Sequence, residues 1–191
     1  TSPQLTADWE NNLTQIAKAL SLSKATCTRA INDLSASGLI SQTAEGTNKW
    51  ITTAYTKSEL LEKAYGRLKT PVDRILYVKG TAQIEHPIAS GIRALARQSM
   101  IGVNDQDGAI AISKKEAAKI PAEDICTKQY FEDFGGAVIE VWSYDPIILE
   151  RDGCVDDISL LLSMDNDPNE RVQTCLDEIR QKHGLPIKEE E

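Results

Sequence analysis

No closely spaced cysteine pair occurs in this 191-residue chain. Cys27, Cys126, Cys154 and Cys175 stand far apart, and His86 and His183 are the only histidines. That scatter argues against a Cys/His zinc cluster, whose ligands come in short-range pairs. Isolated thiols of this kind fit a reducing compartment. Long apolar runs are also missing. None approaches the roughly 18 residues that a membrane-crossing helix needs, and no charged-then-apolar leader opens the chain. The expectation is a cytoplasmic protein with no membrane partner.

Signals of chemistry are equally sparse. Gly135-Gly136 is not followed by a phosphate-loop pattern, and Asp105-Gln106-Asp107-Gly108 is turn chemistry rather than a complete calcium loop. No nucleophile stands in an elbow motif. His86, next to Pro87, reads as a helix-start residue. The acidic set Asp152, Asp156, Asp157, Asp165 and Asp167 could suggest a divalent metal. Asp156-Asp157 suits the first turn of a helix, however, and Asp167 before Pro168 suits a cap. We therefore expect no metal, no cofactor and no enzymatic activity.

What is present is a globular composition, 41% hydrophobic and 26% charged, with a formal net charge of −8. The charge is unevenly spread. Residues 1–69 hold 8 Lys+Arg against 6 Asp+Glu, a net of +2, and residues 70–191 hold 13 against 23, a net of −10. The acidic sum thus belongs to the second part, and the first part can approach phosphate.

That first part holds the most patterned stretch of the chain. Asn12 is placed to cap a helix whose apolar stripe is Leu13, Ile16, Ala17 and Leu20. Ser21-Leu22-Ser23 interrupts it, with Leu22 plugging the turn and Ser23 capping a second helix from about Lys24 to Ser37. Cys27, Ala30, Ile31 and Leu34 make the apolar face of that second helix, and Gly38 stops it. Its opposite face carries Lys24, Ala25, Thr28, Arg29 and Asn32, with Thr26 at the boundary. Hydroxyls and an amide can meet base edges in a major groove, and cations can meet phosphate. Two strand-like runs follow, Leu39-Ile40-Ser41 and Lys49-Trp50-Ile51-Thr52. They are joined by turn residues Ala44 to Asn48, with Gly46 able to take a positive φ. The tip of this hairpin would offer Asn48 and Lys49 to the adjacent minor groove or backbone.

Residues 13–53 resemble the winged-helix domain of MarR-type bacterial transcriptional regulators. The matching stretches are Leu13 to Leu20, Ser23 to Leu34 and Gly38-Leu39-Ile40. The chain departs from that pattern at Ser21, where a glycine is common, and in a wing without the family's acidic-arginine pair. The resemblance implies that the second helix docks in the major groove, with Lys24, Thr26, Thr28 and Arg29 facing bases and the hairpin flanking them. A long first helix is usual in such modules, so a segment upstream of Thr1 is expected to complete it.

Thr56 to Lys69 reads as a connecting helix with a capping box at its start, an apolar stripe of Leu60, Leu61, Ala64 and Leu68, and Pro71 at its end. Beyond it, Val72 to Lys79, Ala109 to Ile112 and Ala137 to Trp142 read as strands. Helices are expected from Pro87, from Ser113, over Val155 to Met164 and over Asn169 to His183. Alternation of this kind describes a small α/β domain. The expected fold is therefore α+β: an N-terminal winged helix-turn-helix over 1–54, a connecting helix over 55–71, an α/β domain over 72–186 and a loose tail over 187–191. The order also looks broadly like AbiEi-type antitoxins. The expected function is DNA-binding transcriptional regulation, with double-stranded DNA as partner and a homodimer matching paired half-sites. The alternative is a protein-interaction module, such as a toxin-neutralising antitoxin or adaptor, whose acidic C-terminal domain binds a protein partner.

Overall fold

A computed structural model describes residues 13–20, 22–45, 48–80, 83–102 and 108–187, with backbone only for 13–15, 44–45 and 48–50. The chain is a mixed α+β protein. It divides into two compact units, Thr1–Leu68 with His183–Pro186, and Lys69–Lys182 with Ile187–Glu191. Among the described residues, no helix is long and apolar enough to cross a membrane.

The first unit opens with α1 (Leu13–Ala19) and α2 (Lys24–Ala36). Ala17 and Cys27 are the buried residues of this pair, with Ile16, Leu20, Leu22 and Ile31 half-buried around them. Asn12 and Ser21, expected as cap and turn, lie outside the described residues. Strands β1 (Ser41–Glu45) and β2 (Asn48–Thr52) form an antiparallel hairpin in the register Ser41↔Thr52 to Glu45↔Asn48. The strands therefore run further than their sequence pattern suggests. Ala44, Glu45 and Asn48 are in the ladder rather than in the turn, and Leu39 and Ile40 precede it. Backbone pairing extends to the residues that flank Gly46-Thr47, because cross-strand hydrogen bonds continue wherever both chains stay extended. Gly46 and Thr47 themselves lie outside the described residues.

Helix α3 (Lys57–Tyr65) carries the expected capping box. The Thr56 hydroxyl accepts from the Glu59 amide at 3.3 Å, and the Glu59 carboxylate accepts from the Thr56 amide at 2.8 Å. The helix stops at Tyr65 with Gly66 as its C-cap, six residues short of Pro71, which was expected to end it. Glycine costs more in a helix interior than most residues, so the break falls there first. Leu68 is accordingly exposed rather than part of a buried stripe.

The second unit is built on a five-stranded sheet in the order β4-β5-β7-β3-β6. Its strands are β3 (Val72–Val78), β4 (Ile88–Ala89), β5 (Ala109–Ser113), β6 (Ile125–Cys126) and β7 (Ala137–Trp142). The strand pairs of this sheet are antiparallel apart from β5 and β7, which pair in parallel. The connection between them contains α5 (Lys114–Ala117) and α6 (Lys128–Phe134), as a parallel crossover requires. Alternation along the strands puts Val78, Ile110, Ile112, Ile139 and Val141 on one face, where they close over Ala117 as the main apolar cluster. The register Ile110↔Ile139 and Ile112↔Val141 aligns these side chains across the parallel pair.

On the opposite face, α4 (Gly91–Ala96), α7 (Asp157–Met164) and α8 (Glu170–Lys182) pack together, with α4 against β5. Ala109 and Ala111 supply the small side chains that let a helix approach the sheet. Gly136 sits where a side chain cannot. It has φ +145°, and a Cβ there would lie 2.1 Å from the Val78 carbonyl oxygen. This absent side chain lets α6 turn directly into β7.

Three differences from the sequence expectation stand out in this unit. Ile88 and Ala89 form a strand, so the helix expected from Pro87 begins only at Gly91, and His86 precedes a strand rather than a helix. Ile88 pairs with Ala111 and Ala89 with Ile110, and sheet pairing at the β5 edge outweighs the helical spacing of Ile88 and Ile92. Helix α6 and strand β6 had no counterpart in the pattern. The expected caps at Ser113 and Asp156, by contrast, are present. Ser113 and Glu116 form a capping box, and Asp156 accepts from the Ser159 amide at 3.1 Å. Asp167, expected as a cap, instead accepts from the Asn169 amide at 2.9 Å in the turn before α8, and Asn169 accepts from the Arg171 amide at 3.0 Å as the cap.

Candidate nucleic-acid interface

Helix α2 owes its start to Ser23. This residue is extended at φ −70°, ψ 148°, and its hydroxyl oxygen accepts from the Thr26 amide at 3.1 Å. No acidic residue occupies the first turn. The remaining free amides leave a partial positive charge at this end, which favours anions. At the other end Gly38, at φ +71°, allows the chain to reverse. Its amide donates to the Ser35 carbonyl at 3.0 Å, and that of Leu39 donates to the Leu34 carbonyl at 3.1 Å. Left-handed geometry of this kind suits glycine at a helix end.

The outward face of α2 is the one expected. Lys24, Ala25, Thr28, Arg29 and Asn32 are all exposed, and Thr26 is half-buried at the boundary. The inward face is narrower than expected. Cys27 is buried and Ile31 half-buried, but Ala30 is exposed and Leu34 is 38% exposed. Ser35, about 100° round the helix from Leu34, is half-buried instead, so the contact face runs through Cys27, Ile31 and Ser35.

The side chains of the outward face differ in how freely they can act. The Thr26 hydroxyl shares a hydrogen bond with the Ser23 hydroxyl at 2.8 Å. Thr28 donates its hydroxyl hydrogen to the Lys24 carbonyl at 2.9 Å. Arg29 Nε reaches the Ala25 carbonyl at 3.4 Å, which leaves the rest of the guanidinium fork outward. Lys24 and Asn32 have no side-chain partner among the described residues. Asn48 and Lys49 stand in β2, opposite Glu45 and Ala44, rather than at a loop tip. Their side chains lie outside the described residues.

A link not foreseen from the sequence joins the hairpin to the helix. Gln42 of β1 donates from Nε2 to the Ser35 hydroxyl at 2.9 Å. Thr53, just past β2, donates to the Leu39 carbonyl at 2.9 Å. The first bond holds β1 beside the C-terminal half of α2, and the second closes the base of the hairpin. Two polar residues flanking a helix-stop glycine were the available signal.

The second unit offers no comparable open set. Among the described residues, no group of His, Cys, Asp or Glu is arranged to hold a metal ion. The acidic residues have other partners: Asp157 pairs with Lys182 at 2.9 Å, and Asp165 with the buried Arg180 at 2.8 Å. All four thiols are free. A buried polar set lies on the helix-covered face of the sheet. Glu140 accepts from the Ser90 hydroxyl at 2.6 Å and from Trp142 Nε1 at 3.0 Å. With Ser90 fully buried and Glu140 9% exposed, this set ties the β4–α4 turn to the central strand. Tyr144, hydrogen-bonded to Ser159, has its phenol pushed up to about 12 by burial, against the lowering effect of that bond.

No protein-family model, no curated protein and no solved structure matches the chain.

Proposed function

We propose that this chain is a cytoplasmic DNA-binding transcriptional regulator whose first unit works as a MarR-like winged helix-turn-helix. Helix α2 enters the major groove and the β1–β2 hairpin flanks it as the wing. The observation that carries this reading is the outward face of α2. Lys24, Ala25, Thr28, Arg29 and Asn32 form one exposed surface beyond an acid-free helix start, with the hairpin fastened about two turns after Thr28 by Gln42 and Ser35. Phosphate contacts supply affinity and positioning, while the groove-facing side chains supply specificity. A homodimer would present two such helices to paired half-sites.

Selection of bound fragments from a genomic library at low salt tests this directly. Enrichment of a discrete set of duplex sequences is expected. Retention of no fragment above background would overturn the proposal.

A protein-interaction role is the second reading, and one observation favours it. Ile125, Tyr130 and Phe134, 39%, 38% and 74% exposed, form an apolar edge around β6 and α6. Capture of one protein at unit stoichiometry, with no DNA retained, would favour it over the first.

A further inference from the structure

We infer that α2 reads an A·T-centred core of three to four base pairs through the methyl group of thymine and the edge of adenine. This deepens the DNA-binding reading above and rests on it. Ala25, Thr28, Arg29 and Asn32 recur at the spacing of one helix face, and all four are exposed. From Ala25 to Asn32 the helix rises about 10 Å, which spans about three base-pair steps.

The hydrogen-bond state of these residues decides which bases they suit. Guanine shows the major groove two acceptors, N7 and O6, and needs donors in return. Thr28 cannot supply one, because its hydroxyl hydrogen is committed to the Lys24 carbonyl. Thr26, half-buried at the boundary, and Ser23 share a single hydrogen bond, so the one hydroxyl hydrogen they leave over stands at the helix start rather than on the Ala25–Asn32 face. What Thr28 retains outward is an accepting oxygen and a methyl group, beside the methyl of Ala25. An A·T pair matches this combination, offering the adenine N6 amino group as donor and the thymine C5-methyl as an apolar contact. A G·C pair offers an amino donor but no methyl.

Asn32, one turn further along the same face, has a free carboxamide among the described residues. Its oxygen and nitrogen can engage adenine N6 and N7 together. Arg29 is tethered at Nε to its own helix backbone and stands at one margin of the face, about 40° round from Ala25, where it suits phosphate. The Ala25–Asn32 face of α2 therefore presents two methyls, an acceptor and an amide over the bases, with cations at the margins.

The test begins with duplexes recovered by genomic selection. Thymines in the core of one half-site are replaced by uracil, which removes only the C5-methyl, and binding is measured by fluorescence anisotropy. We expect a loss of about fourfold per methyl in contact, as for one buried methylene. Substitution of 7-deazaadenine for the core adenine is expected to weaken wild-type protein but not Asn32→Ala. That residue is exposed, so the variant keeps its fold, which circular dichroism checks. Selected cores made of G·C pairs, or affinity unchanged by uracil, overturn this inference while leaving DNA binding intact. Absence of any retained duplex overturns DNA binding itself.

Discussion

At the scale of single residues, Arg29 separates positioning from reading. Its guanidinium stands at the edge of the exposed face, held at one nitrogen by the Ala25 carbonyl. A cation that neutralises one phosphate releases condensed counterions, and each such contact adds about 0.9 to the slope of log affinity against log salt. Arg29→Ala should therefore weaken all duplexes alike and reduce that slope by about 0.9. Anisotropy titrations at several salt concentrations measure both. An unchanged slope, or a loss confined to one sequence, would give Arg29 a base-reading role instead. The exposure of Lys24, Thr28, Arg29 and Asn32 was legible in the sequence, because helical period alone assigns residues to faces. The bonding state of the hydroxyls was not. Thr28 reaches back to Lys24 only once the backbone has closed the turn between them. Ser90 and Glu140 were illegible for a stronger reason. They are 50 residues apart in sequence, and only sheet assembly brings them together.

Among the elements, helices with a capping box and strands with a long apolar run, β3, β5 and β7, were readable, whereas the two-residue strands β4 and β6 and the helix α6 were not. Thr56–Glu59 and Ser113–Glu116 announce α3 and α5 by the capping box, which acts within four residues. Strand β6 has two residues and exists because Tyr77 and Val78 pair with Cys126 and Ile125. Ile88 has helical spacing with Ile92, yet β5 claims it for the sheet. The α3 box also carries a pH dependence with a definite sign. Hydrogen bonds from the Thr56 amide and hydroxyl hold the Glu59 carboxyl below its ordinary value of 4.5, with Lys63 adding to the effect. A carboxyl depressed in the folded state stabilises it above the unfolded pKa, and that contribution is lost as pH falls through the folded value. Helix content of α3 should hence be insensitive to pH near neutrality and fall below about 4.5. In Glu59→Gln the amide cannot titrate, so this acid-dependent component should disappear from a circular-dichroism titration. An identical acid profile in both proteins would show that the box contributes nothing to α3.

For the whole molecule, charge is distributed in a way that a local description of α2 misses. Residues 1–69 carry a net charge of +2 and residues 70–191 a net charge of −10. A DNA-binding surface on the first part must therefore work within the field of a strongly acidic second part. How far that field extends depends on salt. The screening length is about 10 Å at 0.1 M and about 30 Å at 0.01 M. At moderate salt the short screening length limits binding to direct contacts, which on α2 are made by Lys24 and Arg29. Lowering the salt lengthens the reach of every acidic charge, so the repulsion of phosphate by a net charge of −10 grows as salt falls and opposes the gain from counterion release. For an ordinary basic DNA-binding protein, log affinity rises linearly as log salt falls. Here the line should be straight above about 0.1 M and bend toward a plateau near 0.01 M. Neutralising acidic residues of the second part by Asp→Asn and Glu→Gln changes at exposed positions such as Asp133 and Glu178 should straighten the low-salt end without moving the high-salt slope. A wild-type plot that stays linear to 0.01 M would show that the acidic part exerts no field at the DNA, and the charge split would then have no bearing on binding.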